Sequence, residues 1–147
     1  MSGYTWLVAN LLFPLHERLK GHRSVARRRE LEKSQWWTPA QSESYRVAEL
    51  KRLLTHCGEH VPYYRELFKE RGFRPDRITS LGDLQQLPTL DKPIIRSRER
   101  ELIADDAGPL KRYGTGGSSG TPLVFFIGKD RIDHDVAAKW RATRWWD

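Results

Sequence analysis

The stretch between residues 108 and 130 restricts the fold most. Gly108-Pro109 closes a long run of helical patterning, and the segment after it has no helical character. Residues 115–122 read Thr-Gly-Gly-Ser-Ser-Gly-Thr-Pro: three glycines, four hydroxyl side chains and a proline in eight positions. Such a segment lacks both helix propensity and an apolar face. Directly after it, Leu123-Val124-Phe125-Phe126-Ile127 is a continuous apolar, β-prone run, as expected of a buried strand. Residues 110–113 can supply a short strand on the other side. The pattern therefore predicts strand, loop, strand, with the two strands antiparallel. Asp130 is expected to cap a following helix, in which Ile132, Val136 and Trp140 recur every four positions.

Upstream, residues 4 to about 105 read as a string of helices. Thr38, Pro39 and Gln41 make a capping box with proline at the first helical position. Tyr45, Ala48, Leu50, Leu53, Leu54 and Cys57 then fall mostly at helical spacing, with Gly58 as the expected stop. A second helix is expected from Pro62 to Gly72, carrying Tyr63, Tyr64, Leu67 and Phe68. Ser80 with Asp83 opens a short element that ends before Pro88, and Asp91-Lys92-Pro93 starts another.

With 38% hydrophobic and 31% charged residues in 147, the chain reads as one modest globular domain rather than a disordered one. Its single cysteine, Cys57, excludes an internal disulfide and fits a reducing, cytoplasmic setting. The formal charge of +7 favours anionic partners without choosing among nucleotide, nucleic acid and acidic lipid. Much of the excess lies between Arg18 and Arg29 and between Arg96 and Arg100. The second stretch is interleaved with Glu99 and Glu101 and is expected to offset itself on a solvated helix face.

Residues 4–15 are apolar but shorter than a membrane span, with no preceding basic residue and no cleavage site after them. The expected arrangement is a packed helix kinked by Pro14. The alternative is an interfacial amphipathic helix, since Trp6, Leu7, Leu11 and Phe13 precede a basic stretch, so that residues 4–29 touch the inner face of a membrane. At the other end, the last helix stops at Trp145-Trp146-Asp147, two large rings that need cover. That ending predicts a truncated chain.

The glycine- and hydroxyl-rich loop is where the chemistry is expected. Glycine lets backbone N–H groups approach an anion, and Ser and Thr hydroxyls add adjustable donors around it. A Walker loop needs Gly-Lys-Ser/Thr opening a helix, and a dinucleotide fingerprint also needs a following helix; Gly120 is followed instead by Thr121-Pro122 and a strand. Ser118 and Ser119 lack a nucleophile elbow, so no catalytic nucleophile is expected. His56, Cys57 and His60 fit no familiar zinc spacing and have no further ligand close in sequence, so they are expected to serve helix packing. His134 and Asp135 are expected to face solvent. A basic binding protein for nucleic acid or an anionic membrane, acting through Arg27-Arg28-Arg29, is the alternative function. No helix-turn-helix, zinc finger or aromatic RNA-binding signature supports it, and no nucleic-acid partner is expected.

Residues 115–122 match, position by position, the phosphate loop of adenylate-forming enzymes. Pro14-Leu15-His16-Glu17 with Lys20-Gly21, Glu30-Leu31-Glu32-Lys33-Ser34-Gln35-Trp36, Val61-Pro62-Tyr63-Tyr64-Arg65 and Leu87-Pro88-Thr89-Leu90-Asp91-Lys92 extend the likeness. Together they resemble the N-terminal third of phenylacetate–CoA ligase-like proteins, and among these the CapK branch linked to surface polysaccharide synthesis. The resemblance implies an α/β fragment: a helical N-terminal region over residues 1–105, then a strand–phosphate loop–strand–helix unit over 106–147.

It also implies a two-step reaction. A carboxylic acid attacks the α-phosphate of Mg-ATP to give an acyl-adenylate and pyrophosphate, and a thiol such as coenzyme A takes the acyl group. The loop would hold the β- and γ-phosphates, with hydroxyls from Thr115, Ser118, Ser119 and Thr121. Gly116, Gly117 and Gly120 would give backbone N–H groups and room. Superfamily members with a basic residue soon after the loop's proline differ here, where Leu123 follows Pro122. The family's adenine-binding segment, metal-binding acid, ribose-binding aspartate and C-terminal lysine would all lie beyond residue 147. The chain alone is therefore expected to hold no metal ligand and to be inactive.

Overall fold

The computed structural model describes residues 3–116 and 122–143. They form two compact units, one built from residues up to Trp37 together with Lys129 onward, the other from Thr38–Gly128.

The first unit starts with helix α1 (Gly3–Leu7), passes through a π-helical turn at Val8–Leu12 and continues as α2 (Phe13–Leu19). Pro14 explains the wide turn. It has no N–H for the Asn10 carbonyl and its ring crowds that group, so the preceding turn loosens. The Phe13 N–H accordingly donates to the Val8 carbonyl. The expected proline distortion is thus present, in the form of a π turn. At the end of α2 the His22 N–H donates to the Glu17 carbonyl at 2.8 Å and the Gly21 N–H to that of Arg18 at 2.9 Å. These are the paired bonds of a Schellman closure. Helix α3 (Ser24–Ser34) then packs along α7 (Lys129–Thr143). Phe13 lies on Trp140 with ring centroids 4.4 Å apart, and the Arg28 guanidinium sits 5.5 Å over the same ring. Helix α7 begins at Lys129, which places Asp130 inside the first turn rather than at the cap. Its carboxylate there still meets the positive end of the helix dipole.

The second unit is organised by α4 (Pro39–His60), the longest helix, and α5 (Pro62–Arg71). The capping box forms as the sequence predicts: the Gln41 N–H donates to Thr38 Oγ1 at 3.2 Å, and the Thr38 N–H to Gln41 Oε1 at 2.9 Å. Gly58 does not stop α4, which runs on to His60. A Cβ on Gly58 would lie 3.0 Å from Cδ2 of Phe68, so the glycine serves a close approach of α5 to α4. The chain turns at Val61, held extended by the proline after it. Helix α5 ends at Gly72, whose φ of 61° suits a residue without a Cβ.

Leu54, Phe68, Phe73 and Ile78 are the buried centre of this unit, with Leu50, Cys57, Tyr64 and Leu67 against them. The rings run in series, Tyr63 to Tyr64 at 5.2 Å, Tyr64 to Phe68 at 5.8 Å and Phe68 to Phe73 at 4.9 Å. Tyr63 and Tyr64 thus pack against each other edge-on. Burial pushes both the Cys57 thiol and the Tyr64 phenol up from their ordinary pKa values.

Beyond α5 come 3₁₀ turns at Pro75–Arg77 and Leu81–Gln86, the latter opened by a Ser80–Asp83 capping box. Helix α6 (Lys92–Ser97) follows, with the Ile94 N–H donating to the Asp91 carboxylate at 2.9 Å. The basic stretch from Arg96 is not one helix face, because α6 gives way at Arg98 to a 3₁₀ turn, Glu99–Leu102. It does offset its charge. Arg98 Nε donates to Glu101 at 2.7 Å, its Nη2 donates to Glu66 at 2.8 Å, and its guanidinium lies 5.3 Å over Tyr63.

Strands β1 (Lys111–Gly114) and β2 (Val124–Ile127) then pair antiparallel, Lys111 opposite Ile127 and Gly114 opposite Val124. The hairpin and following helix match the sequence expectation. β2 is half-buried rather than buried, with Phe125 39% exposed and stacked on Tyr113 across the ladder at 6.2 Å. A sheet of two strands can cover only part of such a run.

Candidate phosphate-gripping loop

The hairpin brackets the loop. β1 delivers the chain to Thr115 and β2 takes it up again after Leu123, so the glycine- and hydroxyl-rich segment is bounded on both sides by paired strand ends. The pairing extends one residue past the strands. The Thr115 N–H donates to the Leu123 carbonyl at 3.0 Å, and the Leu123 N–H donates to Thr115 Oγ1 at 3.0 Å. Thr115 thus closes the mouth of the loop with both its backbone and its hydroxyl oxygen. Its hydroxyl proton is not used by that bond and can still donate.

Gly116 stands next, exposed, with open space where a Cβ would point. Pro122 is exposed on the returning side. The other expected donors, Gly117, Ser118, Ser119, Gly120 and Thr121, lie outside the described residues. Beside the hairpin, β2 borders a cleft of ≈ 370 Å³. Tyr64, Leu90, Ile95, Leu102, Leu110 and Phe126 are among its lining, so its walls are largely apolar.

Two groupings escape a reading of the sequence. In α7 the buried polar residue is Asp133, 2% exposed, while His134 is exposed and Asp135 pairs with Arg131 one turn away. Asp133 accepts from the Arg23 N–H at 2.9 Å and meets His22 Nδ1 at 2.6 Å. Burial alone would raise its pKa. The Arg23 N–H, His22 and the charge of Lys129 outweigh that and hold the carboxyl below the usual carboxylate range. Ser24, next in sequence to Arg23 and also buried, donates its hydroxyl to Glu17.

The second grouping is on α4. Cys57 packs against the core, whereas His56 and His60 turn to Asp106, which stands in the segment before β1. This further carboxylate is invisible at close sequence range, because it enters from 46 residues beyond His60.

No family model matches the chain. Against individual proteins, it is 30% identical over 96 residues to a phenylacetate-coenzyme A ligase of Aromatoleum evansii, which is 58% of this chain and 20% of that protein. It is 33% identical over 92 residues to a phenylacetate-coenzyme A ligase of Thermus thermophilus, 61% of this chain and 20% of that protein. It is 29% identical over 75 residues to Protein CapK of Staphylococcus aureus, 51% of this chain and 16% of that protein. The chain spans about a fifth of the length of the curated relatives it matches. Over the matched part, it is a distant homologue of the phenylacetate-coenzyme A ligases and of CapK.

Proposed function

We propose that this chain is the N-terminal part of an ATP-dependent, carboxylate-activating ligase, and that residues 115–122 grip the β- and γ-phosphates of ATP. The observation that carries the reading is the hairpin closed by Thr115 and Leu123, which brackets the glycine- and hydroxyl-rich residues between paired strand ends. The homology to coenzyme A ligases supports it independently.

In the complete protein a carboxylate oxygen attacks the α-phosphorus of ATP. The bond from that phosphorus to the bridging oxygen breaks, and the electrons leave with pyrophosphate. Charge grows on the leaving group, so N–H and O–H donors fixed around it lower the barrier. Thr115, Ser118, Ser119 and Thr121 supply hydroxyls, and Gly116, Gly117 and Gly120 supply N–H groups. A magnesium ion held by downstream residues and a thiol acceptor such as coenzyme A complete the scheme. Residues 1–105 and 106–147 are then two regions of one adenylate-forming domain. ATP–pyrophosphate exchange over a panel of carboxylic acids tests this: it should be absent from the 147-residue chain and present when the chain is extended to its relatives' length. An extended protein with no exchange on any acid would end the proposal.

A second reading is favoured by the surface of residues 4–29. Tyr4 is 77%, Trp6 60% and Leu19 80% exposed, with Leu7, Leu11, Leu12 and Leu15 also exposed. Arg18, Lys20, Arg23, Arg27, Arg28 and Arg29 follow them. Large apolar side chains beside a basic run fit the headgroup boundary of an anionic bilayer. No helix among the described residues is long and apolar enough to cross a membrane. The chain should sediment with vesicles containing acidic lipid, and Trp6→Ser with Leu11→Ser should release it. Binding to nucleic acid but not to vesicles would favour the basic binding protein instead.

A further inference from the structure

We propose that His56, His60 and Asp106 form a binding site for a divalent transition-metal ion, zinc first among them. His56 and His60 are four residues apart on α4, so their imidazoles share one helix face, with ring centroids 4.8 Å apart. Asp106 faces both. Its Oδ1 lies 3.8 Å from His56 Nε2 and its Oδ2 3.7 Å from His60 Nδ1. One ligand atom from each residue lies within 4.8 Å of the other two.

Those separations are too long for direct hydrogen bonds. The two carboxylate–imidazole separations exceed by about 0.4 Å the ~3.3–3.4 Å edge of a tetrahedral shell built on metal bonds of ~2.0–2.1 Å, and the widest ligand-atom separation, up to 4.8 Å, exceeds it by up to about 1.4 Å. His56, His60 and Asp106 are all partly open to solvent, so their side chains have room to rotate inward onto an ion. Two imidazoles and one carboxylate suit zinc, nickel or copper, whereas magnesium and calcium prefer oxygen alone. Three protein donors leave at least one coordination position for water.

The segment carrying Asp106 is held in place by bonds that need no ion. The Asp105 N–H donates to the His60 carbonyl at 2.7 Å. Arg65 Nη2 donates to the Glu59 carbonyl and to the Asp105 carboxylate, each at 2.7 Å. These contacts pin the segment to the last turn of α4, so the fold has already ordered the third ligand beside the first two. The same segment leads through Pro109 into β1. A bound ion would therefore tie the root of the hairpin to the helix that organises the core.

The test is calorimetric titration of the untagged, metal-stripped chain with zinc chloride. One ion should bind per chain. Asp106→Asn, which keeps size and surface position, should weaken binding at least about tenfold. His56→Ala with His60→Ala should remove saturable one-to-one binding. Cys57→Ser should leave the affinity unchanged, and magnesium should not bind. Circular dichroism checks that each variant keeps its helices. Absence of one-to-one binding in the unaltered chain overturns the proposal. So does an unchanged affinity in Asp106→Asn or the double histidine variant, or a loss in Cys57→Ser, which would put the thiolate in the ligand set.

Discussion

Asp133 shows how one buried carboxylate holds segments far apart in sequence. It sits in α7, yet its partners are His22 and the Arg23 N–H, 111 and 110 residues earlier. Removing one partner of a part-buried hydrogen bond typically costs about 1–3 kcal/mol, because the group left behind keeps its desolvation without its compensation. Asp133→Ala should thus lower stability by about 2 kcal/mol, read as a fall in the urea midpoint at unchanged slope. The pH dependence comes from the depressed carboxyl pKa. The unfolded chain takes up the proton first as pH falls, so the contribution is complete above the unfolded value of ~3.9 and drains away as pH drops through the lower folded value. The variant should show a shallower loss of stability below about pH 4 than the parent chain. The sequence alone does not single out Asp133, since a charged residue in a helix reads as solvated until a partner from another segment is seen.

At the scale of elements, the local signals are the legible ones. Thr38 with Gln41, Ser80 with Asp83 and Asp91 each mark the start of an element through bonds to residues three positions on. Gly72 likewise ends α5 through its own backbone angle. Gly58 fails as a stop because its reason is tertiary: the Phe68 ring occupies the space a side chain would need. That distinction gives a prediction of definite sign. An alanine in a helix interior gains about 1 kcal/mol over glycine through backbone entropy. Against this, the Phe68 ring is buried between Tyr64 and Phe73 and has little freedom to retreat. Overpacking of a filled core costs about 1–3 kcal/mol. Gly58→Ala should therefore be destabilising by about 1 kcal/mol in thermal or urea unfolding. A stabilised variant would show that the α4–α5 contact is looser than the geometry implies.

For the whole molecule, the strand–loop–strand order is legible because helical patterning gives way abruptly at Gly108-Pro109 to glycine, hydroxyl and β-prone residues. The pairing of His56 and His60 with Asp106 is not, because only the folded chain brings the segment before β1 to the end of α4. Nor does the sequence reveal that Thr115 closes the loop's mouth, since a hydroxyl in such a loop reads equally as a ligand donor or a structural acceptor. The two roles separate in an extended protein assayed one half-reaction at a time. Gly117→Val places a branched side chain where the proposed loop must let phosphate approach its backbone, so acyl-adenylate formation should be abolished. Ser118→Ala removes one donor, and loss of a critical transition-state donor costs about 10²–10³-fold. Neighbouring N–H groups share that anion, so the effect should fall at or below the lower end. Transfer from a chemically supplied acyl-adenylate to the thiol should be largely spared in both variants, because pyrophosphate has already departed. Thr115→Val differs from both: it keeps the backbone bond to Leu123 but loses the acceptor for the Leu123 N–H, leaving the loop's mouth less firmly held. It should slow adenylation and also lower the melting temperature, whereas Ser118→Ala should leave the melting temperature unchanged. Equal loss of both half-reactions in Gly117→Val would mean that the loop shapes the fold, and its assignment to the β- and γ-phosphates would be withdrawn.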